Sequence, residues 1–322
     1  MIAKWIGKRM LMGIFVLFLV SFLAFLIMYL APGDPAAAFY GGNAQALNAA
    51  ERERISEAFS LDQSFVQQYG AWLSETLNGN LGQSFKEGRP VLNIVFERLP
   101  NTFILSGTSL FFIVIGSIVL GSAAGIKEGS FLDKGLSVLS MASSAVPAFW
   151  LGIVFISFFT VTLGLLPSSG TGDISGNGGL ADRLRHLAMP AMVLIISHVA
   201  IYGRILQESI KSENRKYYVT VARANGVSEA DIVKGLLRNA SIPYLNYIGV
   251  TLPSFFGGTI MIESLFAWSG IGQLTVNAAA AKDFPVLVGS ILVIGCFLVI
   301  SFLIIDLIVY ILDSKSRKEV MQ

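Results

Sequence analysis

The sequence predicts an all-α integral membrane protein of six transmembrane helices, with an extracellular insert after the first helix. Three observations predict it. The 322 residues are 54% hydrophobic and only 14% charged, with a mean hydropathy of +0.67, well beyond what a water-soluble domain carries. The charges are spaced so that uncharged runs remain at residues 10–33, 99–126, 135–172, 187–203, 239–262 and 284–305. With the long segment 34–98 set apart, the segments between those runs carry 15 Lys and Arg on one side and three on the other, the asymmetry of a polytopic chain.

In chain order, Met1-Ile-Ala-Lys-Trp-Ile-Gly-Lys-Arg9 precedes the 24 uncharged residues Met10–Gly33. A secretory signal has an apolar core of about 7–15 residues, whereas a span needs about 20. The run is therefore read as a retained first span. Uncharged runs mark the later spans because a charge at the bilayer centre costs about 2.5–3.5 kcal/mol on insertion scales. Run 135–172 is too long for one span, and Gly164, Pro167 and the Ser/Gly cluster 168–172 end its helix near residue 166. Run 187–203 is short, and continues past Arg204 as an amphipathic extension through Ile205, Leu206 and Ile210.

An even number of spans puts both termini on one side. With the termini cytoplasmic, segments 1–9, 127–134, 204–238 and 313–322 carry 15 Lys and Arg, while the short outer loops carry three, Arg183, Arg185 and Lys282. That is the positive-inside pattern, and the five in segment 34–98 do not count against it because long segments translocate largely regardless of charge. The chain thus divides into residues 1–98, the first span plus the extracellular insert, and residues 99–322, five spans with a cytoplasmic loop at about 211–243. The insert holds a charged run, Glu51-Arg-Glu-Arg54, an amphipathic stretch Phe65–Leu77, and turns at Asn78-Gly-Asn80 and Gly88-Arg-Pro90.

Several functions are excluded by composition. The formal net charge is +2 with Lys and Arg dispersed, so no nucleic-acid surface is expected. Cys296 is the single cysteine and lies in an apolar run, which reads as a small core residue. His186 and His198 are the only histidines, and twelve residues of helix separate them by about 18 Å, too far to share a metal. Neither G-x-S-x-G nor H-E-x-x-H occurs.

The loop carries the most local information. Tyr217-Tyr-Val-Thr-Val-Ala-Arg-Ala-Asn-Gly226 reads as a short helix stopped at Gly226, where a C′ residue needs positive φ. Ser228 is placed to cap the next helix, with Asp231 at N3 completing a capping box and Val227 stapling against Ile232. Pro243 then leads into the next span. The short helix presents Tyr217, Tyr218, Val221, Ala222 and Ala224. Such a helix either rests on lipid headgroups or enters a groove of a partner protein, to which small Ala222, Ala224 and Gly226 allow close approach.

Here the sequence resembles a known family. Tyr218-Val-Thr-Val-Ala-Arg-Ala-Asn-Gly226 is similar to the Glu-Ala-Ala loop of ATP-binding-cassette (ABC) importer permeases, in the form Tyr-Val-x-x-Ala-Arg-Ala-x-Gly typical of the dipeptide/oligopeptide/nickel permease family. Thr220 and Val221 stand where the name-giving Glu and Ala would be, so no carboxylate role is expected there. The resemblance extends through Ala31-Pro-Gly-Asp-Pro35, Leu81-Gly-Gln-Ser-Phe85, Glu97-Arg-Leu-Pro100, Val146-Pro-Ala-Phe-Trp-Leu-Gly152, Leu165-Leu-Pro-Ser-Ser-Gly170, Leu184-Arg-His-Leu-Ala-Met-Pro190 and Glu263-Ser-Leu-Phe-Ala-Trp-Ser-Gly-Ile-Gly272. The family often has Pro where this chain has Ser269.

The resemblance implies the type I ABC importer transmembrane fold in a bacterial cytoplasmic membrane. It also implies a second permease subunit, two ATPase subunits that bind ATP and Mg, and an external substrate-binding protein. Peptides are the implied cargo, with nickel or another metal chelate as the alternative. It places ATPase docking on Tyr217, Tyr218, Ala222, Arg223, Ala224, Gly226 and Ser228. The chain contains no G-x-x-x-x-G-K-[ST] nucleotide loop, since Gly121-Ser-Ala-Ala-Gly125-Ile-Lys127 has the wrong spacing. Its G-x-x-x-G spacing reads instead as close helix packing. No cofactor of its own is expected. Ion-coupled secondary transport is the competing class, with Glu263 and Asp306 as intramembrane carboxylates to weigh. Pro147, Trp150 and Glu263 are the candidates for the translocation path.

Overall fold

The computed structural model describes residues 2–30, 53, 63–173 and 179–312. Most of the run Glu51–Arg54, the segment Ala31–Pro35 and the basic tail 313–322 lie outside the described residues. The described helices are α1 (Ile2–Leu30), α2 (Phe65–Leu77), α3 (Val91–Ile126), α4 (Phe131–Ala145), α5 (Ala148–Phe155) with a π-helical continuation Ile156–Thr162, α6 (Gly179–Asn214), α7 (Tyr217–Ala224), α8 (Glu229–Leu265), α9 (Ile271–Ala281) and α10 (Phe284–Leu312). Five of them, α1, α3, α6, α8 and α10, are long and apolar enough to cross a membrane, and α4 with α5 and its continuation supplies a sixth span. Among the described residues the all-helical reading therefore holds, with six spans when the bent pair is counted as one.

Two expected elements differ in shape. The third span is bent by 92° at its break. Val146 is extended at φ −97° and ψ 117°, the conformation that the following proline ring enforces, and Pro147 caps α5. The helix ends at Thr162, short of residue 166, where Gly164 takes φ +61°. By contrast, Pro243 starts no new element: α8 runs unbroken through both Pro243 and Pro253. A proline removes one amide donor and crowds the preceding turn, and packing of α8 against α6 and α5 holds the helix through it.

The chain folds as two compact units, one formed by Ala3–Thr102 with Ser269–Ile300, the other chiefly by Phe103–Trp268 with Ser301 onward. The first unit joins Ser269–Ile300 to the N-terminal residues in part through polar contacts. Asp283, 4% exposed, accepts the backbone N–H groups of Phe85 at 3.1 Å and Lys86 at 3.3 Å, and the Ser84 hydroxyl. Around it Leu81, Val91, Ile94, Val95, Ile271, Ala278 and Val286 form one apolar core. In the same unit α2 lies along α1, with Phe65, Tyr69 and Trp72 against Phe22 and Phe25. The Tyr69 hydroxyl meets Ser21 Oγ at 3.0 Å.

In the other unit α6 packs against α4, α5 and α8, and α7 against α8. With 36 and 37 residues, α6 and α8 are each about 55 Å long, against a hydrocarbon core of about 30 Å. Their charged halves, which meet at α7, therefore extend beyond the membrane.

Candidate functional site

α7 is a two-turn helix held between the end of α6 and the start of α8. Lys216 enters it in extended conformation and Asn225 closes it. Gly226 follows at φ +77°; its N–H donates to the Arg223 carbonyl at 3.0 Å, and the Val227 N–H donates to the Ala222 carbonyl at 3.1 Å. These two bonds are the Schellman closure. A Cβ added at Gly226 would meet nothing within 4 Å, so the glycine is needed for its backbone angle and not for space. Ser228 then caps α8, its Oγ accepting the Asp231 N–H at 3.2 Å. The reciprocal contact differs from a capping box, because Asp231 Oδ2 accepts the Ser228 hydroxyl at 2.6 Å.

One face of α7 is committed to the fold. Val219 is fully buried and packs with Ile232 and Leu236, with Ala222 laid against them. Val219 thus takes the contact with Ile232 that Val227 was expected to make, and Val227 is exposed. The i, i+3 spacing of Val219 and Ala222 explains the choice, since both lie on the side facing α8. Ala222 is correspondingly half-buried and offers a partner little surface. The opposite face carries Tyr217, Thr220, Val221 and Ala224, all exposed and again at helical spacing. Tyr217 is 81% exposed.

Polar side chains fix how far this face projects. Arg223, expected among the docking residues, is exposed and tied within the chain: Nε donates to Glu229 Oε1 at 2.9 Å and a terminal nitrogen to Asn214 Oδ1 at 2.9 Å. Beneath it Glu213, 8% exposed, accepts the Tyr218 hydroxyl at 2.9 Å and Asn239 Nδ2 at 3.0 Å, and pairs with Lys216. Asn239 also donates to the Tyr218 oxygen at 3.2 Å. Burial pushes the Tyr218 phenol above its ordinary value and its bond to Glu213 adds to this, while the Asn239 bond opposes it. Glu213, Asn214 and Asn239 are site residues that sequence reading missed. Glu213 and Lys216 at i, i+3 were visible as a pair, but Asn239 is brought in only by tertiary folding. An open cavity of about 920 Å³ adjoins them, lined by Glu208, Ser209, Ser212, Arg238 and Asn239 among others.

The path candidates are not brought onto one exposed surface. Pro147 and Trp150 are exposed at the break of the bent span. Glu263 is fully buried in the last turns of α8, so in this conformation its carboxylate lines no opening. His186 is held by Asp182 and His198 Nδ1 by the Leu194 carbonyl at 2.8 Å. Among the described residues no group of three His, Cys, Asp or Glu is placed to hold a metal ion.

Residues 117–318, which contain α7 and both helices that brace it, match the family described as the binding-protein-dependent transport system inner membrane component. The chain belongs to that family. Residues 1–106 match its N-terminal membrane component, so the two matches meet near the boundary between the compact units. The fold is accordingly the type I ABC importer transmembrane fold, and the protein is a multi-pass component of a multisubunit transport system. It is 32% identical over 315 residues to the oligopeptide transport system permease protein AppB of Bacillus subtilis (strain 168), covering 97% of this chain and 99% of that one. It is 35% identical over 311 residues to a protein of Brucella suis biovar 1 (strain 1330) assigned by name as a peptide permease, covering 96% and 97% of the two chains. A protein of Sinorhizobium fredii assigned as a peptide ABC transporter permease is 32% identical over 314 residues, 97% of this chain and 99% of the relative.

Proposed function

We propose that this chain is one of two permease subunits of an ATP-driven peptide importer, and that α7 is where an ATPase subunit docks. The observation that carries the docking assignment is the outward face Tyr217, Thr220, Val221 and Ala224, held beyond the membrane by the Gly226 closure and the Glu213 cluster. The face is shallow and nearly uncharged, so contact rests on shape and small side chains and not on a carboxylate. The Gly226 stop sets its length. Arg223 and Ser228 act as braces for that face, and Tyr218 joins its ring to the outer surface and its hydroxyl to the brace.

In this reading both termini and α7 are cytoplasmic, two ATPase subunits bind ATP and Mg, and a second permease completes the pore. A substrate-binding protein delivers cargo from outside. ATP binding closes the ATPases, α7 moves with them, and the spans shift between inward-open and outward-open populations. The permease itself makes and breaks no covalent bond. Peptide cargo is favoured over a nickel complex because the relatives above are named for peptides or oligopeptides.

Cells expressing the whole system provide the test. Uptake of a radiolabelled tripeptide should survive collapse of the membrane potential while ATP is maintained. Loss of uptake under that condition would point to ion coupling, and uptake of nickel in place of the tripeptide would overturn the cargo assignment.

A further inference from the structure

The last turns of α6 are fastened on a second side, away from α7. Arg204 donates to the Ser137 carbonyl at 3.4 Å, Gln207 Nε2 to Asp133 Oδ1 at 2.5 Å, Lys211 Nζ to the same oxygen at 2.6 Å, and Arg215 pairs with Glu128. The spacing of 204, 207, 211 and 215 is one helix face, and its acceptors all lie in the α3–α4 turn or the first turns of α4. Asp133 is the centre of this seam. It is 7% exposed, Gln207 is fully buried, and the Lys211 side chain is 11% exposed. Asp133 Oδ2 meanwhile accepts the Gly129 N–H at 2.7 Å, and its own N–H donates to Ser130 Oγ, so one carboxylate closes the start of α4 and joins it to α6.

Below this seam α3 touches α6 at backbone level. A Cβ on Gly121 would stand 2.5 Å from the Gly203 carbonyl oxygen, and one on Gly125 would stand 2.9 Å from Ile210 Cβ. The G-x-x-x-G spacing is thus a packing device. Such contact resists compression strongly and separation weakly. A buried ion pair with directed hydrogen bonds resists both, because pulling it apart leaves an uncompensated buried charge.

We propose that Asp133 is a positioning residue for energy coupling: through Gln207 and Lys211 it locks the α3–α4 turn to the end of α6, so that movement of α7 carries α3 and α4 with it. The proposal rests on α7 being the docking element. When the ATPases close or open, the pull arrives at Glu213 and Asn214, and Asp133 passes it on to the next pair of helices in both directions.

The test uses the assembled transporter in lipid nanodiscs, with Cys296→Ser and spin labels on cysteines at Phe131, 91% exposed, and at exposed Lys234, on the turns of α8 that pack against α7 and outside its docking face. Mg-ATP with vanadate is the only probe added. With Asp133 intact, the 131–234 distance should stay within roughly 2 Å between nucleotide-free and trapped states, whereas Asp133→Asn and Lys211→Gln should each move it by roughly 5 Å or split it. Lys211→Gln leaves Asp133 free to close α4, so the proposal stays open to test if Asp133→Asn does not fold. Variants that keep the distance constant, a distance that already changes with Asp133 intact, or variants that lose their ATPases would each overturn it. Failure of the docking reading shows separately, as a photo-activated cross-linker at Tyr217 that captures lipid and no ATPase subunit.

Discussion

α1 and α7 both expose apolar side chains, and the difference between them shows how to read such exposure. On α1 the exposed residues cover a broad apolar arc, Leu11, Ile14, Phe15, Phe18, Leu19 and Ile27 among them, opposite a strip of Ser21, Ala24 and Met28 packed inside, as expected of a span wetted by lipid along its length on one side. On α7 the exposed apolar side chains span only two turns, while buried Val219 holds the helix to α8 and its ends are tied by Arg223, Glu213 and Asn239. Polar bracing of that density has no use in hydrocarbon, where each unpaired group is expensive. An apolar face held by charged braces is suited to a protein partner.

The largest expected effect belongs to α1. Ile14→Asp should oppose insertion by about 3 kcal/mol, lowering the amount of chain in the membrane without changing the ATPase retained per inserted chain. Quantitative blotting of membranes and of the purified complex checks both halves. Val219→Ala should loosen α7 from α8 by about 2 kcal/mol through lost burial and the cavity left behind. Hydrogen exchange should then speed up over residues 217–236 and remain unchanged in α1. Gly226→Val forces a β-branched residue into the left-handed region, at a cost of roughly 1 kcal/mol or more. Its effect on co-purification of the ATPases should be out of proportion to that energy, because the stop sets the geometry of the face. Normal co-purification with unchanged transport would contradict the docking assignment. Tyr218→Phe, which leaves the Glu213–Lys216 pair in place, should cost only about 0.5–1 kcal/mol and alter exchange in the last turn of α6.

Much of this contrast was legible in the sequence, for identifiable reasons. The spans could be read from gaps between charges because the penalty for a buried charge is large and local. Gly226 and Ser228 could be read because a helix stop and a cap each depend on a few neighbouring residues. Pro243 misled, since a single missing amide is outweighed by packing that the sequence does not display. The bend at Val146 was marked by Pro147, but its angle of 92° depends on what lies around it. Glu213 and Asn239 are 26 positions apart, and no periodicity links them. Ala222 and Val219 could have been sorted by helical spacing alone once α8 was known to pack beside them.

The most direct measurement places a photo-activated benzophenone side chain at Tyr217 on α7 or at Ile14 on α1 in the intact transporter. Irradiation followed by mass spectrometry should give an adduct with an ATPase subunit from position 217 and only lipid adducts from position 14. Lipid adducts from position 217, with no ATPase adduct, would contradict the assignment of α7 as the docking element.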